Sequence, residues 1–274
     1  MDRLRVALLY NLQHPAIADP DAPPDVLADQ DRPETVEAVE QALCQAGHEV
    51  IALEADPSLL DTIRQVNPDI CFNMARGREG QNRSSHVPAL LEMLHIPYTG
   101  SGVMSHALAL DKATAKRIWE DRGLPTAHFQ VMHRASESLA PSMQEFPLFV
   151  KPLNESTSAG IDEDAIVWNE TQLRRQVAWV VDNYHQPALV ERYLPGREFS
   201  VAILGNALET RESEVQGADG RHGYHPLPVL ELIDMPDGEP ADDRSGDRAT
   251  TRKKKPAYTY VCPVHIPDLA GTLH

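Results

Sequence analysis

Short apolar runs and amphipathic stretches alternate along the first hundred residues. LRVALLY, Leu4 to Tyr10, is a β-rich apolar run of the kind a buried parallel strand requires. A Pro/Asp-rich loop follows, from Pro15 to about Arg32. RPETVEAVEQALCQAGHEV then predicts a helix: Val36, Val39 and Leu43 share one face, Pro33 suits the first turn, and Gly47 offers a C-terminal stop. Glu34 and Glu37 suit the positive helix N-terminus. Strand EVIALEA, helix PSLLDTIRQV and strand DICFNM come next, an alternation that signals βαβ units on a parallel sheet. This domain is expected to end at the turn IPYTGSG, Ile96 to Gly102.

The pattern then changes. VMSHALALDKATAKRIWEDRGLP predicts one helix, stopped by Gly123 with Pro125 behind it. Beyond it TAHFQVMH, FPLFVKP, PALVERYL, REFSVAILGN and LPVLELID read as strands, with ETQLRRQVAWVVDNY as a single helix among them. That order predicts an α+β domain with helices on one face of a largely antiparallel sheet. The overall expectation is an α/β protein with domains 1–102 and 103–274, a central subdomain at 126–195 and a mobile insertion at 235–256, where apolar residues nearly vanish.

Composition narrows the function. A net charge of −16 argues against a general nucleic-acid binder, which needs a cationic face. The basic run Arg252 to Lys255 lies in an otherwise acidic segment and reads as a solvated loop. Cys44, Cys71 and Cys262 are odd in number and widely spaced, which fits reduced thiols, and Cys71 beside Phe72 reads as core. His86, His95 and His106 show no metal-ligand spacing. With no apolar run near the ~20 residues that span a bilayer, the expectation is a soluble cytoplasmic protein without membrane partners.

Three stretches can carry chemistry. In PLFVKPLNESTSAGI, Lys151 ends a strand and points an ammonium away from a rigid sheet, and the Ser/Thr/Gly loop after it can offer hydroxyls and backbone N–H groups to phosphate. Alone, this stretch also reads as a surface lysine beside a turn, and it lacks the pattern G-x-x-x-x-G-K-[ST]. In PALVERYLPGREFSVAILGN, Glu191 and Glu198 flank a turn, where a carboxylate can accept ribose hydroxyls and extended backbone can pair with an adenine edge. Lys112, in ALDKATAKRI, supplies a second cation of the kind phosphoryl transfer needs.

Taken in order, LLEMLHIPYTGSGVMSHALALDKATAKRIWEDRGLPTA, FPLFVKPLNESTSAGI and PALVERYLPGREFSVAILGN resemble the ATP-grasp superfamily, and within it the D-alanine–D-alanine ligase-like proteins. The resemblance implies a parallel-sheet pre-ATP-grasp domain followed by an incomplete ATP-grasp domain. It implies an ATP-dependent carboxylate–amine ligase that forms a peptide bond through an acyl-phosphate, acting on amino acids or peptides, with no nucleic-acid or membrane partner and with room for a homodimer. By motif, Lys112 and Lys151 match the phosphate-contacting lysines, Glu191 and Leu194 the adenine-facing hinge, and Glu198 the ribose carboxylate. Thr157 and Ser158 match the loop that closes over the reacting site, where Gly160 supplies backbone freedom.

The chain departs from the family pattern at three places. Ser156 stands where the family's phosphate loop has glycine, which predicts strain of roughly 1 kcal/mol or more if that position takes a positive φ. The acidic A-E-x-E-V-S-type segment that orients the first amino acid is not found after the first strand, leaving the substrates open. The Asp and E-x-N pair that bind magnesium in the family are not reached before His274, so a truncated ligase, a non-catalytic ATP-binding relative and a ligase for other amino acids or peptides are all consistent with the sequence. Lys253, Lys254 and Lys255 are alternatives for a further phosphate lysine.

Overall fold

The computed structural model describes residues 3–14, 23, 25–205, 224–234 and 258–261. The chain divides into two compact units, Met1–Tyr193 and Leu194–His274. No helix among the described residues is long and apolar enough to cross a membrane.

The first unit opens with a three-stranded parallel sheet. Strand β1 (Arg5–Tyr10) lies between β2 (Glu49–Glu54) and β3 (Ile70–Asn73). Val6 to Leu9 are buried on both faces, which is why β1 reads as an unbroken apolar run and not as an alternating one. Helix α1 (Pro33–Gln45) connects β1 to β2, and α2 (Leu59–Val66) connects β2 to β3. Leu59 and Ile63, one turn apart on α2, pack on Ala7, Leu9 and Cys71. Cys71 is core, and burial pushes its thiol up to about 12. Helix α3 (His86–Met93) was not legible in the sequence; Val87 and Leu91 anchor it to the same core.

The segment expected as one helix is two, α4 (Val103–Leu110) and α5 (Lys112–Asp121). The break is Asp111, whose backbone is extended (φ −82°, ψ 97°) and whose carboxylate accepts the Thr114 N–H at 2.8 Å. An aspartate that caps the next helix outcompetes continuation of the last one.

A four-stranded antiparallel sheet follows, in the order β4 (Phe129–Met132), β7 (Ala188–Arg192), β5 (Leu148–Pro152), β6 (Ile166–Val167). Helix α6 (Glu170–Tyr184) buries Leu173, Val177 and Val180 against Leu148, Val150 and Val190 on one face. The other face was expected to lack helices. Instead Ala113 of α5 packs there on Leu189 and Leu153. Because side chains alternate along a strand, burying Leu148 and Val150 under α6 sends Phe149 and Lys151 to the α5 side. Lys151 pairs in register with Leu189, and Phe149 with Glu191, so Lys151 and Glu191 are diagonal neighbours on that face.

In the second unit the run expected as one strand, REFSVAILGN, is two. Strand β8 (Glu198–Ser200) pairs with β11 (Leu230–Asp234), itself beside β12 (Tyr258–Val261). Strand β9 (Ile203–Gly205) pairs instead with β10 (Tyr224–Pro226). The insertion expected at 235–256, together with Cys262, lies outside the described residues, and Lys253, Lys254 and Lys255 lie within it.

Candidate nucleotide site

Residues of α4, α5 and the sheet line a cavity of about 520 Å³, within the ordinary range of ligand pockets. Leu108, Ala109 and Trp119 make it apolar on the helix side, while Lys112, Lys151 and Glu191 bring charge to it. Lys116, one turn after Lys112, also lines it.

The three lysines are held differently. The Lys112 ammonium donates to the carbonyls of Pro152 (3.1 Å), Leu153 (3.2 Å) and Glu155, tying α5 to the chain that leaves β5. Lys151 pairs with Glu191 Oε1. Lys116 lies 2.9 Å from Glu191 Oε2 and donates to Thr126 Oγ1 at 2.7 Å. Burial pushes the Glu191 carboxyl up, but the Lys151 and Lys116 ammoniums outweigh it and hold the group below its usual range. Glu191 was expected to face adenine; in this structure its carboxylate is engaged by two lysines.

Burial, reinforced by the Lys151 charge, draws Lys112 from 10.5 down to about 8. Between those two values the folded protein binds fewer protons than the unfolded chain, so stability should rise with pH across that window. Below about 8 the lysine is charged in both states and the cost of burying it is constant. Chemical denaturation of the wild type and Lys112→Met across the window should show this rise in the wild type and a flatter profile in the variant.

Beyond β5 the loop Glu155 to Gly160 meets the acidic residues Asp25 and Asp29. Asp29 accepts hydrogen bonds from Thr157 Oγ1 (2.7 Å), Ser156 Oγ and Arg83 (2.9 Å). Burial raises the Asp29 pKa, but these donors reverse the effect and leave it below the usual carboxylate range. Asp25 accepts the Gly160 N–H at 2.9 Å and the Tyr184 hydroxyl. Arg83 also reaches Glu155 Oε2 (2.8 Å) and the Asn154 carbonyl (3.2 Å), and Gln186 holds Glu155 Oε1 at 2.8 Å.

Loop strain is not where the sequence put it. Ser156 does not take a positive φ; Thr157 (φ 50°) and Ser158 (φ 58°) do. For residues with a Cβ this costs on the order of 1–2 kcal/mol each, and the Thr157–Asp29 hydrogen bond helps to offset it. Gly160 has φ +74°, and a Cβ there would lie 2.3 Å from Pro152 Cγ. Gly160→Ala should therefore destabilise the fold by about 3 kcal/mol, through backbone strain and overlap together. A shifted urea midpoint with an unchanged slope would check this.

Lys112, Lys151 and Glu191 thus meet at one cavity, and Thr157, Ser158 and Gly160 form the loop beyond Glu155, whose carbonyl Lys112 holds. Leu194 and Glu198 belong to the second unit, where Leu194 is 69% exposed and Glu198 is exposed on β8. Sequence reasoning missed Lys116, Arg83, Asp25 and Asp29. Only Lys116 left a signal, its four-residue offset from Lys112 on one helix face.

The chain is similar to known proteins in sequence and in fold. Residues 118–224 match the family model for the D-alanine–D-alanine ligase C-terminus. The chain is 39% identical over 203 residues to the uncharacterized protein y4sG of Sinorhizobium fredii, covering 71% of this chain and 58% of that one. It is 38% identical over 185 residues to a D-alanine–D-alanine ligase of Ruegeria pomeroyi, covering 67% of this chain and 56% of that protein, so it spans little more than half of either relative. In fold it is similar to the crystal structure of D-alanine–D-alanine ligase from Bacillus anthracis complexed with ATP, with a TM-score of 0.60 at 18% identity over 86% of this chain and 68% of that one. D-alanyl-alanine synthetase A from Vibrio cholerae gives a TM-score of 0.58 at 16% identity over 92% of this chain and 74% of that one. Residues 118–224 thus match the D-alanine–D-alanine ligase C-terminal domain, in a chain that is similar in sequence to D-alanine–D-alanine ligases and shares the fold of those of known structure.

Proposed function

We propose that this chain is the nucleotide-binding portion of an ATP-dependent carboxylate–amine ligase of the D-alanine–D-alanine type. The observation that carries the reading is the single cavity at which Lys112, Lys151 and Glu191, drawn from a helix and two strands, meet beside an apolar wall. An apolar slot suits a purine, and ammoniums at its edge suit a polyphosphate.

In this reading Lys112 and Lys151 face the phosphates, Glu191 and Leu194 face adenine, and Glu198 takes the ribose hydroxyls. Thr157 and Ser158 lie over the reacting site, with Gly160 as their pivot. ATP phosphorylates one carboxylate, the amine of a second amino acid attacks the acyl-phosphate, and ADP, phosphate and a peptide bond result. The chain's own part is to neutralise the phosphates, to hold the reacting groups close and to keep water from the intermediate. Among the described residues no group of three or more His, Cys, Asp or Glu is placed to hold a metal ion. The substrates are amino acids or small peptides, and the location is the cytoplasm.

Calorimetric titration of the chain with ATP, ADP and adenosine tests the reading. Saturable binding in the order ATP, ADP, adenosine supports it; no binding of ATP, or equal binding of adenosine, contradicts it.

A further inference from the structure

Glu191 presents one carboxylate oxygen to each of two lysines whose surroundings differ. Lys116 is deeply buried, with its side chain 7% exposed; besides Glu191 Oε2 at 2.9 Å it has the Thr126 hydroxyl at 2.7 Å and the Phe129 ring, 5.3 Å from the ammonium to the centroid. Lys151, 19% exposed, holds Oε1 and lies 5.3 Å from the Phe149 ring centroid. The third ammonium, of Lys112, has three carbonyl acceptors around it. Of the three, Lys151 is bound by the fewest polar groups and is the cation most readily moved.

Moving it has a condition. A carboxylate with only 13% of its side chain exposed cannot be left without a counter-charge at small cost. We infer that Lys116 is the standing counter-ion of Glu191, a positioning residue that lets Lys151 leave Oε1 for a phosphate oxygen when nucleotide enters. The inference rests on the nucleotide-binding reading above and goes beyond it. Lys116 touches no phosphate. It acts through Glu191, by keeping that carboxylate neutralised in both states of Lys151.

A double-mutant cycle separates this role from mere packing. ATP affinity is measured for the wild type, Lys116→Met, Glu191→Gln and the pair together. Lys116→Met should weaken ATP binding by about tenfold or more, because Lys151 is then the remaining counter-ion of a buried carboxylate. On the Glu191→Gln background, with no carboxylate to neutralise, the same substitution should cost less than about threefold. Equal losses on both backgrounds, or no loss in the single variant, overturn the inference. If Lys116→Met does not fold, the lysine ammonium proton–nitrogen spectrum of the wild-type chain decides. Added ATP should move the Lys151 resonance and leave that of Lys116 in place; the reverse overturns the inference. A wild type that does not bind ATP fells both readings, whereas Lys151-dependent binding with an additive cycle fells this one alone.

Discussion

Lys151→Ala should lower ATP affinity by about 10- to 100-fold while leaving the chain folded. The ammonium would make charge-assisted hydrogen bonds to phosphate, worth about 1.5–3 kcal/mol in mutational comparisons, and that range sets the factor. The fold should survive because Glu191 keeps Lys116 at 2.9 Å, so the carboxylate is not abandoned when Lys151 goes. Affinity by calorimetry and melting temperature, measured on the same samples, distinguish a lost ligand contact from a lost fold. Unchanged affinity in a folded variant contradicts the assignment of the cavity.

Arg83→Met should produce a loss of stability at least as large as that of Gly160→Ala in the loop. The guanidinium, with its side chain 10% exposed, lies between Asp29 and Glu155 and also holds the Asn154 carbonyl. Removing one partner from a buried ionic set costs about 3–5 kcal/mol, because the carboxylates stay behind. Asp29 retains two hydroxyl donors and Glu155 retains Gln186, which places the expected loss near the lower end. For a chain of this size that corresponds to a melting temperature lower by about 10 °C. Limited proteolysis should show faster cutting around Glu155 to Gly160. A variant that melts with the wild type and resists protease equally would show that Arg83 does not hold the loop.

How much of this was readable in advance depended on the distance over which each feature is decided. The parallel β1 run, helix α6 and the core strands of the antiparallel sheet were legible because their apolar periodicity is local and repeats. Asp111 was misread because it sits inside an unbroken helical pattern, and only its hydrogen bond to Thr114 reveals it as a cap. Lys112, Lys151 and Glu191 were found because motifs bring them to notice one at a time. Their meeting follows from strand register and from where α5 lands, which no single stretch encodes. Asp29 and Arg83 were invisible for the same reason: Asp29 lies 128 positions from Thr157 in the chain, and neither segment marks the other. The positive φ values fell on Thr157, which holds Asp29, and on Ser158 after it, not on the position where a glycine was missing.

A crystal structure of this chain with a non-hydrolysable ATP analogue tests the central claim most directly. The account predicts the adenine in the cavity between α5 and the sheet and the Lys151 ammonium on a phosphate oxygen, no longer on Glu191 Oε1, with Lys116 still on Oε2. An analogue bound elsewhere, or bound there with the Lys151–Glu191 pair intact, would contradict it.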